Sequence, residues 1–98
     1  MQGMLEQEEP LRVRLPRRGE VIGEIIGLLG ASRFTVRCMD GKERMTRIPG
    51  KFRKRITINL GDAVLVEPWS VEADAKGDII WIYTRTQREW LRRNGHIK

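Results

Sequence analysis

The chain has 98 residues with 19 Lys or Arg against 13 Asp or Glu, a formal net charge of +6, so it holds one small domain whose surface attracts phosphate polymers or anionic membranes. No apolar run approaches the ~20 residues of a membrane-spanning helix, and LEQEEP after Met4 does not fit a signal peptide, which leaves the cytoplasm as the expected compartment. One cysteine, Cys38, and one histidine, His96, exclude an internal disulfide framework and a Cys/His zinc site.

In chain order, residues 1–10 (MQGMLEQEEP) are acidic and aperiodic and read as a disordered tail. LRVRLPRRG, 11–19, reverses the charge and reads as an extended arm, since prolines at 10 and 16 oppose a helix. EVIGEIIGLLG, 20–30, is a strand pattern interrupted by Gly23 and Gly27, so a long first strand should bend or bulge. In RFTVRCM, 33–39, Phe34, Val36 and Cys38 alternate with Arg33, Thr35 and Arg37, so one face is core and the other basic. Asp40-Gly41 predicts a two-residue hairpin turn with positive φ at both positions, followed by a third strand KERMTRI that ends at Pro49-Gly50.

RIPGKFRKRITINLGD, 47–62, carries five basic side chains from Arg47 to Arg55 and no acidic one before Asp62. Gly61-Asp62 predicts a turn before a fourth strand, 63–69, and the polar stretch EADAKGD a loop before a fifth, 79–84. Ile80 and Ile82 are expected inside, with Trp81 and Tyr83 packed under the C-terminal segment. In that segment TRTQREWLRRNG changes to a helical period, with Thr86 and Glu89 as a capping box, Trp90 and Leu91 as the docking stripe and Gly95 as the stop. His96, near the end, is expected to be frayed and solvated. The organisation expected is a tail over 1–10, a barrel domain with its arm over 11–84, and a helix and tail packed on the barrel over 85–98.

Five short strands, a curved first strand, a hairpin between the second and third and an irregular connection after the third predict an all-β, five-stranded OB-fold barrel with a short C-terminal α-helix. That fold binds oligonucleotides on the face of its second and third strands. Here the expected contacts are Arg33, Arg37, Arg44 and Arg47, with Lys51, Arg53, Lys54 and Arg55 at the rim. Phe52 lies among these cations, where a ring can stack on an unpaired base or plug the barrel end, and Trp69, Trp81 and Tyr83 are ambiguous in the same way, with packing the expectation. A solvated charged surface of the kind found in heat-stable proteins is the competing reading. Catalysis finds no nucleophile–base arrangement, Asp40, Asp62, Asp74 and Asp78 fall where turns favour aspartate, and no cofactor or metal is expected.

LGASRFTVRCMDGKERMTRIPGKFRKRI, with GDAVLVEPW and DIIWIYTRTQREWL in the same order, closely resembles archaeal translation initiation factor 1A, the counterpart of eukaryotic factor 1A and bacterial initiation factor 1, over roughly residues 11–95. The resemblance implies a monomeric, non-enzymatic OB-fold protein that binds ribosomal RNA at the A site of the small ribosomal subunit. It further implies that the protein blocks premature tRNA entry and assists initiator tRNA and mRNA placement with homologues of initiation factors 1, 2 and 5B. Thr57 departs from the family, which usually has an exposed tryptophan there, and the long charged C-terminal tail of eukaryotic members has no equivalent in NGHIK. The alternatives are a cold-shock-like single-stranded RNA chaperone, a permanent ribosomal component and a metal-dependent OB-fold nuclease.

Overall fold

The computed structural model describes residues 13–50 and 57–97; the acidic tail and the basic stretch Lys51, Phe52, Arg53, Lys54 and Arg55 lie outside the described residues. Among the described residues five strands, β1 (Val21–Gly30), β2 (Arg33–Cys38), β3 (Glu43–Arg47), β4 (Ala63–Pro68) and β5 (Lys76–Ile82), precede a C-terminal helix, α1 (Arg85–Arg93). The strands close into a barrel in the order β1-β2-β3-β5-β4, with β4 paired back to β1. Only the β3–β5 pairing is parallel. This is the expected OB-fold with its short C-terminal helix.

β1 serves two neighbours, pairing with β4 over Val21–Glu24 and with β2 from Gly23 to Gly30. The bend needed for that is supplied where the glycines stand: the β1–β2 register shifts between Ile25 and Gly27 and again between Leu28 and Gly30. Gly23 faces both Cys38 and Val64, and a Cβ there would lie 2.3 Å from Val36 Cγ1. Ala31 and Ser32 make the two-residue turn into β2, both at positive φ (50° and 62°), which matches the strand twist but costs non-glycine residues about 1 kcal/mol each.

The turn after β2 differs from the expected one. Gly41 alone has positive φ (88°), its N–H donates to Cys38 O, and Cys38 N–H donates to Lys42 O. The loop is therefore the three residues Met39-Asp40-Gly41, a turn followed by a glycine bulge, because aspartate at the second place can stay in the ordinary region when a third residue takes the left-handed one.

Two apolar layers share β4. Its residues Ala63, Val64, Leu65 and Val66 are all buried. Val64 and Val66 point into the barrel with Ile25, Val36, Cys38, Ile48, Ile58 and Ile79. Ala63 and Leu65 point outward, where Ile22, Tyr83 and Leu91 cover them, flanked by Val13, Trp90 and Ile97. A strand buried on both faces must be apolar without alternation, which is why AVLV reads as a continuous run. Burial also pushes the Cys38 thiol up, keeping it an unreactive core residue.

α1 is capped two residues earlier than expected. Thr84 Oγ1 accepts from Gln87 N–H at 3.1 Å and Gln87 Oε1 accepts from Thr84 N–H at 2.9 Å, so the box is Thr84/Gln87 rather than Thr86/Glu89. Both spacings fit the pattern; Thr84 prevails because it places Gln87 and Leu91, four apart, on the buried face. Gly95 (φ 81°) stops the helix as expected, with Gly95 N–H on Arg92 O and His96 N–H on Leu91 O. That closure turns His96 back to stack on Trp90, ring centres 5.6 Å apart, so His96 is not frayed. The arm is fastened beside it: the Tyr83 hydroxyl donates to Arg14 O, and burial pushes the Tyr83 phenol up to about 12.

Two further expectations fail for reasons of parity, the first only in part, since Ile82 faces the interior and Tyr83 packs with Leu91 as expected. A bulge in β5 sets Val66 opposite Ile79 and Leu65 opposite Trp81. The extra residue flips the alternation, so Ile79 and Ile82 face the barrel interior, Ile80 joins the outer layer and Trp81 is 40% exposed. Arg44 and Arg47 are three apart in one strand and so occupy opposite faces. Arg44 is 3% exposed, on the inner side at the barrel mouth. Its Nε donates to Ala73 O at 2.6 Å, and its Nη1 and Nη2 to Asp40 Oδ1 and Oδ2 at 3.2 and 2.9 Å. Arg44 is a clasp between the β2–β3 and β4–β5 loops, not an exposed nucleic-acid contact.

A Cβ at Gly77 would lie 2.7 Å from Val66 Cγ1 and 2.9 Å from Glu67 O. Gly77→Ala should therefore destabilise the barrel by roughly 1–3 kcal/mol, as overpacking does, read as a lower denaturation midpoint; an unchanged midpoint would show that β4 can yield. The hydrogen bonds from Arg44 hold the Asp40 carboxyl below its ordinary value of 3.8. A depressed carboxyl stabilises fully above its unfolded-state value and loses that contribution as pH falls through the folded one. The stability gap between the native chain and Asp40→Asn should thus stay constant from neutrality down to the ordinary carboxylate range and shrink below it, in denaturation curves across a pH series.

Candidate nucleic-acid interface

The outward face of β2 and β3 is built by strict alternation. Arg33, Thr35 and Arg37 stand directly opposite Arg47, Met45 and Glu43. Arg33 and Arg47, like charges on paired positions, repel one another and make no sense as a stabilising pair. An exposed strand pair that carries this repulsion is suited to a polyanion that relieves it.

The remaining charges on this face are arranged to differ. Arg37 Nε lies 3.8 Å from Glu43 Oε2, both side chains more than half exposed, an ion pair too solvated to hold Arg37 away from a phosphate. Arg47 Nε donates to Asp78 Oδ1 at 3.1 Å, and the same oxygen accepts from Trp69 Nε1–H at 3.0 Å. The Arg47 guanidinium carbon sits 4.9 Å from the Trp69 ring centre, and Lys76 Nζ 5.8 Å from it. Arg33, Met45, Thr46, Arg47, Trp69 and Lys76 line a cleft of about 160 Å³ on this face.

Of the nine contact residues expected from sequence, Arg33, Arg37 and Arg47 share this face, Arg44 is turned inside, and the five from Lys51 to Arg55 lie outside the described residues. Thr57, where the resemblance leads one to expect a tryptophan, is exposed. Lys76 and Asp78 were not anticipated here, and Trp69, open in the sequence between stacking and packing, lies beside them. Lys76–Asp78 read as loop because of its glycine and aspartate, yet these residues are the start of β5 and pair in parallel with Met45–Arg47. The signal available in the sequence was alternation: Lys76, Asp78 and Ile80 fall on one side of Gly77 and Ile79. Among the described residues no cluster of three or more His, Cys, Asp or Glu side chains could hold a metal ion, and no helix is long and apolar enough to cross a membrane.

The family model described as "Translation initiation factor 1A / IF-1" matches residues 11–98. Translation initiation factor 1A of Methanococcus maripaludis (strain C5) is 50% identical over 100% of this chain and 97% of its own length. The protein of that name from Archaeoglobus fulgidus is 50% identical over 97% of this chain and 99% of its own length. The solution structure of bacterial translation initiation factor 1 from the Wolbachia endosymbiont of Brugia malayi superposes with a TM-score of 0.53 at 36% identity, over 70% of this chain and 82% of that one. YjeQ from Thermotoga maritima, at 22% identity and a TM-score of 0.53 over 67% of this chain and 23% of that one, shares the fold alone. A closed five-stranded barrel capped by one short helix, a basic β2–β3 face and these likenesses across nearly the whole length together make the chain a member of the translation initiation factor 1A / IF-1 family.

Proposed function

We propose that the protein binds ribosomal RNA at the A site of the small ribosomal subunit and, by occupying that site, promotes placement of initiator tRNA and mRNA. It acts in the cytoplasm as a monomer without catalysis, alongside homologues of initiation factors 1, 2 and 5B. The observation that carries this reading is the exposed β2–β3 face, on which Arg33 and Arg47 are directly opposed, in a chain of an initiation-factor family. The paired strands fix where Arg33, Arg37 and Arg47 leave the backbone; phosphate contacts, from Arg33 and Arg37 on this face, then fix position, and RNA shape supplies selectivity. Lys51, Arg53, Lys54 and Arg55 follow β3 directly in the sequence and extend the same charge beyond Arg47, with Phe52 among them as a stacking ring.

Labelled protein should bind purified archaeal small subunits saturably and resist displacement by a generic single-stranded RNA. With about five phosphate contacts, affinity should fall roughly as the 3.5 power of salt concentration. Equal binding to large subunits and to the generic RNA would replace this reading with a general RNA grip. The double reversal Lys54→Glu/Arg55→Glu should abolish small-subunit binding with the unfolding midpoint unchanged; retained binding at physiological salt would remove that segment from the interface.

A further inference from the structure

We infer that Arg47 and Trp69 form a stacking platform for one unpaired base of the bound RNA, an inference that rests on the RNA binding proposed above. Asp78 Oδ1 accepts from both Arg47 Nε and Trp69 Nε1, at 3.1 and 3.0 Å, so a single carboxylate oxygen fixes the guanidinium over the indole at 4.9 Å. Asp78 itself is fixed by the parallel register that sets it beside Arg47 across β3 and β5. The platform is thus built on two paired strands rather than on a loop, and its geometry exists before any ligand arrives.

The charge balance separates this role from a phosphate contact. Asp78 offsets the charge of Arg47, and the pair as a whole draws a phosphate weakly. What the pair leaves available is the guanidinium plane, on a side chain 57% exposed. Guanidinium planes backed by an aromatic ring are suited to stacking on a splayed-out base. Met45, 43% exposed, supplies an apolar wall in the adjoining cleft of about 160 Å³, while Arg33 and Lys76 stand at its edge where the flanking phosphates would run. Lysine in place of Arg47 would keep the charge and the Asp78 contact but remove the plane, which makes Arg47→Lys the diagnostic change.

The probe is an RNA hairpin carrying the small-subunit decoding site, with purified small subunits measured in parallel. Arg47→Lys should weaken hairpin binding about tenfold, within the range of one stacked base, with the salt slope unchanged. On titration of the native chain the Trp69 Nε1–H resonance, identified by its loss in Trp69→Phe, should shift; in Arg47→Lys it should not. Native affinity in Arg47→Lys, or a slope lower by about 0.7 in Arg47→Gln alone, would make Arg47 a phosphate contact and overturn the platform while leaving RNA binding intact. Failure of the native chain to bind either hairpin or small subunits would overturn both.

Discussion

The barrel depends on how β5 sits between β4 and β3, and the close fit of β5 to β4 depends on the absence of a side chain at Gly77. There the backbone of β5 passes close enough to Val66 and Glu67 that a Cβ would collide with both, while on its other side the same residue pairs with Thr46. Three residue pairs close the sheet. Their register determines which charges meet: it brings Asp78 to Arg47 and Lys76 to Met45, and hence sets Trp69 under a cation. A slip of one residue would turn every one of these side chains to the opposite face. The electrostatics of the proposed RNA face are therefore a by-product of how the sheet closes.

Arg44 and Arg47 show how little the residue type says without parity. They are separated by two residues, one faces inward and the other outward, and both are matched to an aspartate. For Arg44 the pairing is structural: a buried guanidinium needs partners, and Asp40 with the Ala73 carbonyl takes a hydrogen bond from each of its three nitrogens while tying two loops together. For Arg47 the aspartate takes one donor and leaves the plane outward. The net charge of the chain is thus a poor guide to the charge that a ligand meets, since several basic side chains are already engaged in ion pairs.

Most of the fold was legible in the sequence because its signals are local. Alternation in RFTVRC, the glycine interruptions of β1 and the helical period after Thr84 each correspond to an observed element. What was not legible is what other strands impose. The bulge in β5 that exchanges the roles of Ile80 and Ile79 arises from its register against β4, and no local pattern encodes it. The start of β5 at Lys76 is invisible because a Gly-Asp pair ordinarily marks a turn, and only the partner strand makes it a strand. In the candidate site, alternation alone sets Arg33 and Arg37 on the outward face, whereas Arg44 was expected there by counting charge without parity and is buried. Trp69 stayed ambiguous in the sequence because its neighbours are side chains of β3 and β5, both distant from it along the chain or across a loop.

The double burial of β4 has a consequence for how the molecule comes apart. Val64 and Val66 belong to the barrel interior while Ala63 and Leu65 belong to the layer under α1 and the N-terminal arm, so neither layer can be opened without exposing apolar surface that the other strand face keeps ordered. The helix is accordingly no appendage, and its departure would unroof β4 and loosen β1 through their pairing. Barrel, helix and arm then form one cooperative unit, whose slowest amide exchange should centre on β4. No residue of β2 or β3 belongs to that second layer, and only Arg37 of their outward arginines borders it, across a cleft that it lines with Ala63, Arg88, Arg92 and Ile97. Changes in the outer layer therefore act first on the lifetime of the fold, and Arg33 and Arg47 stand clear of it.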